Sequence, residues 1–173
     1  MEILNKERLL STKLLNVDIA EIKTNTGKVL EHYIIEPLRN SVAAVAIKNG
    51  KIIMIKTKRL FWDKPCWEIP GGLIQEGEIA LSAIRRKVEE ETGFSVQSII
   101  RLGSTFGDIG LNKKEKYYFF IELGEKIQDY NRDIVEMVSS FTFDQVHNLI
   151  DEGKIVDERT LTGLMLAEHR YRK

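Results

Sequence analysis

A chain of 173 residues with 43% hydrophobic content suits one packed domain, or one domain with an added arm. Its 26 basic and 26 acidic residues cancel, so bulk charge gives no nucleic-acid surface. The single cysteine, Cys66, excludes an intrachain disulfide and points to a reducing cytoplasm. The opening MEILNKERLLSTKLL has no signal-peptide core, and no apolar run reaches the length of a membrane span.

In chain order, residues 9–24 alternate irregularly, with Leu15, Val17, Ile19 and Ile22 apolar, and predict a strand. Asn25-Thr26-Gly27-Lys28 predicts a turn and residues 29–35 a returning strand. Residues 41–48 and 52–56 flank Asn49-Gly50, the strongest hairpin signal in the chain. Cys66, beside Trp67 in an apolar run, reads as a buried structural thiol. Pro70-Gly71-Gly72 breaks the structure. Glu76-Gly77-Glu78 then opens a predicted helix that runs to about residue 92, where Gly93 supplies a left-handed cap. Ala80, Leu81, Ile84 and Val88 fall on one face of it and form the expected core stripe. Residues 96–103 and 116–123 predict strands, and a polar loop spans 124–133. Residues 143–151 and 157–170 predict two last helices. His32, His147 and His169 are scattered, without zinc spacing.

The acids of the first helix lie beside its apolar stripe. At about 100° per residue, Lys87, Glu90 and Glu91 group on one flank, with Arg86 next to them and Glu89 pointing away. At an effective dielectric near 20, like charges about 5 Å apart cost on the order of 3 kcal/mol, and less when solvated. A hard cation relieves that repulsion, and Mg²⁺ favours carboxylate oxygens together with substrate phosphate. Helix chemistry by itself favours the plainer alternative, a solvated acidic face.

Gly72, Glu78, Arg86, Val88, Glu90, Glu91, Gly93 and Phe94 fall at the spacing of the Nudix box, which the segment 72–94 therefore resembles. One position departs. Lys87 stands where the family has a Glu, four residues before the last Glu, and in the family those two commonly hold a divalent metal together. A protonated lysine cannot ligate. It pairs instead with acids at i+3 and i+4, for about 0.2–0.5 kcal/mol each.

The flanks resemble the ADP-ribose pyrophosphatase branch of that family. Arg59 ends a strand where relatives carry an Arg that contacts substrate, and a guanidinium suits phosphate. Trp67-Glu68-Ile69-Pro70-Gly71-Gly72 resembles the W-E-x-P-A/G-G that precedes the box, in which the Glu fixes substrate or that Arg. Trp62 is the candidate for stacking on a base. Glu115 matches a Glu at the end of a loop near the site of relatives, and Asp133 falls where they place a Glu general base.

The resemblance implies an α/β protein of the Nudix fold: an α/β/α sandwich around a mixed β-sheet with an N-terminal β-hairpin arm. The arm would be residues 1–39, packing across a homodimer, and the Nudix domain residues 40–173. It implies hydrolysis of a nucleoside diphosphate linked to another moiety, ADP-ribose first. Mg²⁺ or Mn²⁺ would sit at Glu90, Glu91 and the Gly72 region, with Arg86 orienting the acids through Glu78. A small nucleotide and a second copy are the expected partners, with no nucleic acid or membrane. Lys87 supports a second reading, a Nudix-fold protein that binds a nucleotide sugar without efficient turnover.

Overall fold

The computed structural model describes residues 1–171, which divide into two compact units. The first holds residues 1–40 and also 105–115, a segment that the sequence reading assigns to the main domain. It is a three-stranded antiparallel sheet of β1 (Glu2–Ser11), β2 (Leu15–Lys23) and β3 (Val29–Pro37). β2 and β3 are the expected hairpin, turning through Gly27 at φ 83°. β1 was not expected. Its sequence mixes charge and leucine without clean alternation, and every residue in it is exposed. Its place comes from the ladder to β2 and from ion pairs, with Lys6 3.1 Å from the buried Asp18 carboxylate and Arg8 bonded to it. The segment 105–115 joins this unit through hydrogen bonds, Ile35 N–H to the Leu111 carbonyl at 2.8 Å among them.

The second unit is built on a mixed seven-stranded sheet. Its strands are β4 (Ser41–Lys48), β5 (Lys51–Arg59), β6 (Trp62–Glu68), β7 (Gly71–Leu73), β8 (Phe94–Phe106), β9 (Glu115–Lys126) and β10 (Met137–Phe141). The order is β10-β5-β4-β9-β8, with β6 on β5 and β7 on β4. The Asn49-Gly50 turn has φ of 51° and 72° at its two residues, the positive pair that a tight hairpin requires. β4 runs parallel to β9 and is apolar on both faces, as a central strand covered on both sides must be.

Alternation along β4 sorts the core into two layers. Val42, Ala44 and Ala46 face α1 (Ala80–Thr92), together with Phe119 and Ile121 of β9. Ala43 and Val45 pack in the other cluster with Tyr118, Val146 of α2 (Phe143–Asp151) and Leu164 of α3 (Glu158–Tyr171). The result is the expected α/β/α sandwich.

α1 differs from expectation in two details. It starts at Ala80 because Gly77, at φ 74°, cannot continue a helix backward. Its buried stripe is Ala83, Ile84 and Val88, and Leu81 is 50% exposed. Gly93 closes it at φ 78°, its N–H donating to the Glu89 carbonyl.

Candidate active site

The segment 67–73 is pinned from three sides. Gly71 pairs with Ala43 of β4, and a Cβ there would run into the Val42 carbonyl oxygen, so only glycine fits. The Trp67 N–H donates to the Lys154 carbonyl at 2.9 Å, and the Ile69 N–H to Thr160 Oγ1 at 3.1 Å, which ties the strand to the start of α3. The Gly71 N–H donates to Glu91 Oε2 at 2.9 Å. The last box acid is therefore not on a solvated face: it is 4% exposed and bound to the glycine turn. Burial pushes the Glu91 carboxyl above its usual range, against the pull of the Gly71 N–H and the nearby charge of Lys87.

Glu68, wholly buried, is the centre of a second cluster. Its Oε1 accepts from Thr57 Oγ1 and from Arg59 Nε, each at 2.7 Å, and from Cys66 Sγ at 3.3 Å. Its Oε2 accepts from Arg59 Nη2 and from Arg159 Nη2, the latter at 2.6 Å. Burial would raise the pKa of this carboxyl, but the Arg59 hydrogen bonds, the Arg159 charge and Thr57 bring it down to about 2. The Cys66 thiol is pushed up to about 11, by burial first and by Glu68 next, so it is an inert, structural group.

Arg86 makes the pairing expected of it. Its Nε and Nη2 donate to the two Glu78 oxygens at 2.9 and 2.7 Å, and its Nη1 to Glu90 Oε2 at 3.4 Å. That fork holds the Glu78 carboxyl down to about 2. Glu89 faces elsewhere, 3.7 Å from Arg85 and accepting from the Val96 N–H.

Lys87 lies between the two box acids. Its Nζ donates to Glu90 Oε2 at 3.0 Å and stands 3.9 Å from Glu91 Oε1. Magnesium asks for oxygen ligands about 2.0–2.1 Å away in near-octahedral array. Here an ammonium fills the approach between the carboxylates. Among the described residues, no three His, Cys, Asp or Glu side chains gather to hold an ion. Glu90, Glu91 and Gly72 as arranged do not fit the protein-held Mg²⁺ or Mn²⁺ that the box motif implies.

The remaining sequence candidates belong to separate elements. Trp62 opens β6 opposite Arg59, 45% exposed, beside the fully exposed Leu60 and Phe61. Asp133 is exposed on a turn, its N–H bonded to Asn131 Oδ1. The Asn131 N–H donates to the Glu90 carbonyl at 2.8 Å, so that turn is moored to the end of α1. Glu115 lies in the first unit, where its N–H donates to Asn40 Oδ1. Arg159 was missed. It sits 91 residues from Glu68, at the start of α3, where the sequence shows only a predicted helix. Asp157 supports it, accepting from Arg159 Nε at 3.4 Å and from the Thr160 N–H at 3.0 Å.

This geometry agrees with the comparisons. The family model described as NUDIX domain matches residues 37–162. The ADP-ribose pyrophosphatase of Bacillus subtilis is 24% identical over 167 residues, 94% of this chain and 90% of that protein. The CMP-5'-(N-acetyl-N-hydroxy-3-aminopropyl)phosphonate hydrolase of Streptomyces rubellomurinus is 22% identical over 156 residues, 89% of this chain and 75% of that protein. A crystal structure of an ADP compounds hydrolase superposes with a TM-score of 0.86 at 18% identity, over 99% of this chain and 94% of that one, a likeness of fold. The chain belongs to the Nudix family, in its ADP-ribose pyrophosphatase-like branch, and is a pyrophosphohydrolase. Nudix hydrolases generally use divalent metal ions. The similarities lend no support to a binder without turnover. Among the described residues, no helix is long and apolar enough to cross a membrane.

Proposed function

We propose that this chain hydrolyses a nucleoside diphosphate linked to a second moiety, with ADP-ribose the first candidate. The observation that carries this reading is the pair of guanidiniums gathered on Glu68, next in chain to the glycine turn that holds Glu91. Arg59 commits Nε and Nη2 to Glu68, is half exposed, and keeps Nη1 for a phosphate oxygen. Trp62, on the same hairpin, offers a ring face to a base. Water attacks a phosphorus of the pyrophosphate, the bridging P–O bond breaks, and Asp133 is the carboxylate that takes the proton from water. A divalent ion, were one bound, would supply charge to the pyrophosphate; Glu90 and Glu91 face Lys87 instead. The reading includes a homodimer built on the N-terminal sheet and a cytoplasmic setting, the latter supported by the single buried thiol.

The test is steady-state kinetics on ADP-ribose beside a panel of other nucleoside diphosphates with sugar or alcohol substituents. ADP-ribose should have the highest kcat/KM. Arg59→Ala should raise KM by about tenfold or more, the loss of one charge-assisted hydrogen bond to phosphate. Equal KM in that variant would remove Arg59 from the substrate site.

A further inference from the structure

The residue that departs from the box pattern is also among its most firmly placed side chains. Lys87 is 17% exposed, far below a surface lysine. Its stem runs against the glycine turn. A Cβ on Gly72 would come 2.8 Å from Lys87 Cε and 3.0 Å from Cδ, so glycine at 72 leaves the channel that the stem occupies. At its end the ammonium meets Glu90 at 3.0 Å and Glu91 at 3.9 Å. Holding a lysine this way forfeits the rotamer freedom of a long side chain. Packing on one side and two carboxylates on the other offset that loss.

Charge decides whether a divalent ion can share the place. Charges of +2 and +1 held about 4 Å apart repel strongly even at an effective dielectric near 20. A protonated lysine also has no lone pair to offer an ion. Both effects work against metal, and both leave a positive charge beside Glu90 and Glu91. An ammonium has three donors, and Glu90 accepts one of them. A phosphate oxygen can take another, since lysine binds phosphate as a point charge.

We infer that Lys87 is the resident cation of this site, contacting the pyrophosphate in place of a divalent metal, so that nucleotide binding needs none. The identity of the ligand rests on the substrate reading above; the exclusion of metal does not.

The test uses the full chain in three forms: native, Lys87→Met, which keeps an unbranched stem without charge, and Lys87→Glu, which restores the family's acid. The first readout is Mn²⁺ titration followed by the paramagnetic resonance of the free ion, with no nucleotide present. The native protein should leave the ion free at concentrations where Lys87→Glu captures it, with affinities about a hundredfold apart. The second is calorimetry with ADP-ribose in chelator and in Mg²⁺. The native Kd should agree within about twofold between the two media, and Lys87→Met should bind about tenfold more weakly in chelator. Lys87→Glu should bind only in Mg²⁺. Native protein that retains Mn²⁺ as tightly as Lys87→Glu overturns the inference, and so does native affinity that falls about tenfold in chelator. Native protein that binds no ADP-ribose in either medium overturns the substrate reading, and the Mn²⁺ series still decides the part played by Lys87.

Discussion

Glu68 is where most charge converges, and its neighbours fix what happens when it is changed. Glu68→Gln keeps the shape and removes the charge that holds Arg59 and Arg159. Breaking a buried ion pair from one side costs about 3–5 kcal/mol, because the surviving charges are left uncompensated. Urea unfolding at neutral pH should show that loss. The pH dependence has a defined sign. The folded carboxyl titrates at about 2, below its ordinary 4.5, so its stabilisation is complete above the ordinary value and disappears as pH falls from 4.5 toward 2. Glu91 works in the opposite direction. Burial raises it, the folded chain holds its proton more readily than the unfolded one, and it subtracts stability as pH climbs past the ordinary carboxylate range. Acid unfolding of Glu68→Gln should be flatter than that of the native protein between pH 4.5 and 2. Parallel curves would mean that Glu68 is not the group that titrates.

The two glycines of the turn look alike in sequence and do different things. A Cβ at Gly71 meets the Val42 carbonyl oxygen and, at 2.9 Å, Ala43 Cα, neither of which can yield without moving the central strand. Gly71→Ala should cost about 3 kcal/mol, the upper end of ordinary overpacking. A Cβ at Gly72 meets only the Lys87 stem, a side chain that can swing aside where backbone cannot. Gly72→Ala should stay within about 1 kcal/mol of native stability while it moves the ammonium off Glu90. Thermal melts of the two variants check the contrast, and equal losses would contradict it. At this scale the sequence was legible wherever one local rule acted alone. The 3.6-residue period gave the helix, and Gly93 gave its end. It misled where tertiary contacts chose among near-equivalent residues, as with Ala83 facing the sheet and Leu81 facing out. Arg159 had no local signal, because its partner is a strand 91 residues away.

On the scale of the whole molecule, the N-terminal sheet leaves Ile3, Leu4, Leu9, Leu10 and Tyr33 about half exposed. Apolar exposure of that extent marks an interaction face, and the proposed occupant is a second copy of this chain. Sedimentation should find a dimer, and Leu10→Asp should shift it toward monomer. A native monomer at micromolar concentration would refute this. The fold was legible in outline because eight box positions and the flanking strand ends constrain one architecture. β1 was not, since a ladder to a neighbouring strand, and no alternation of its own, makes it a strand. The metal was read from the motif, and the side chain that displaces it was visible as Lys87. Where that ammonium would sit between two carboxylates was not.

The most direct measurement is AMP release from ADP-ribose by the native protein in H₂¹⁸O. Hydrolysis at the pyrophosphate predicts AMP and ribose 5-phosphate in equal amounts, with one ¹⁸O in the phosphate of one product. Absence of AMP, or label recovered outside phosphate, would contradict attack of water on phosphorus.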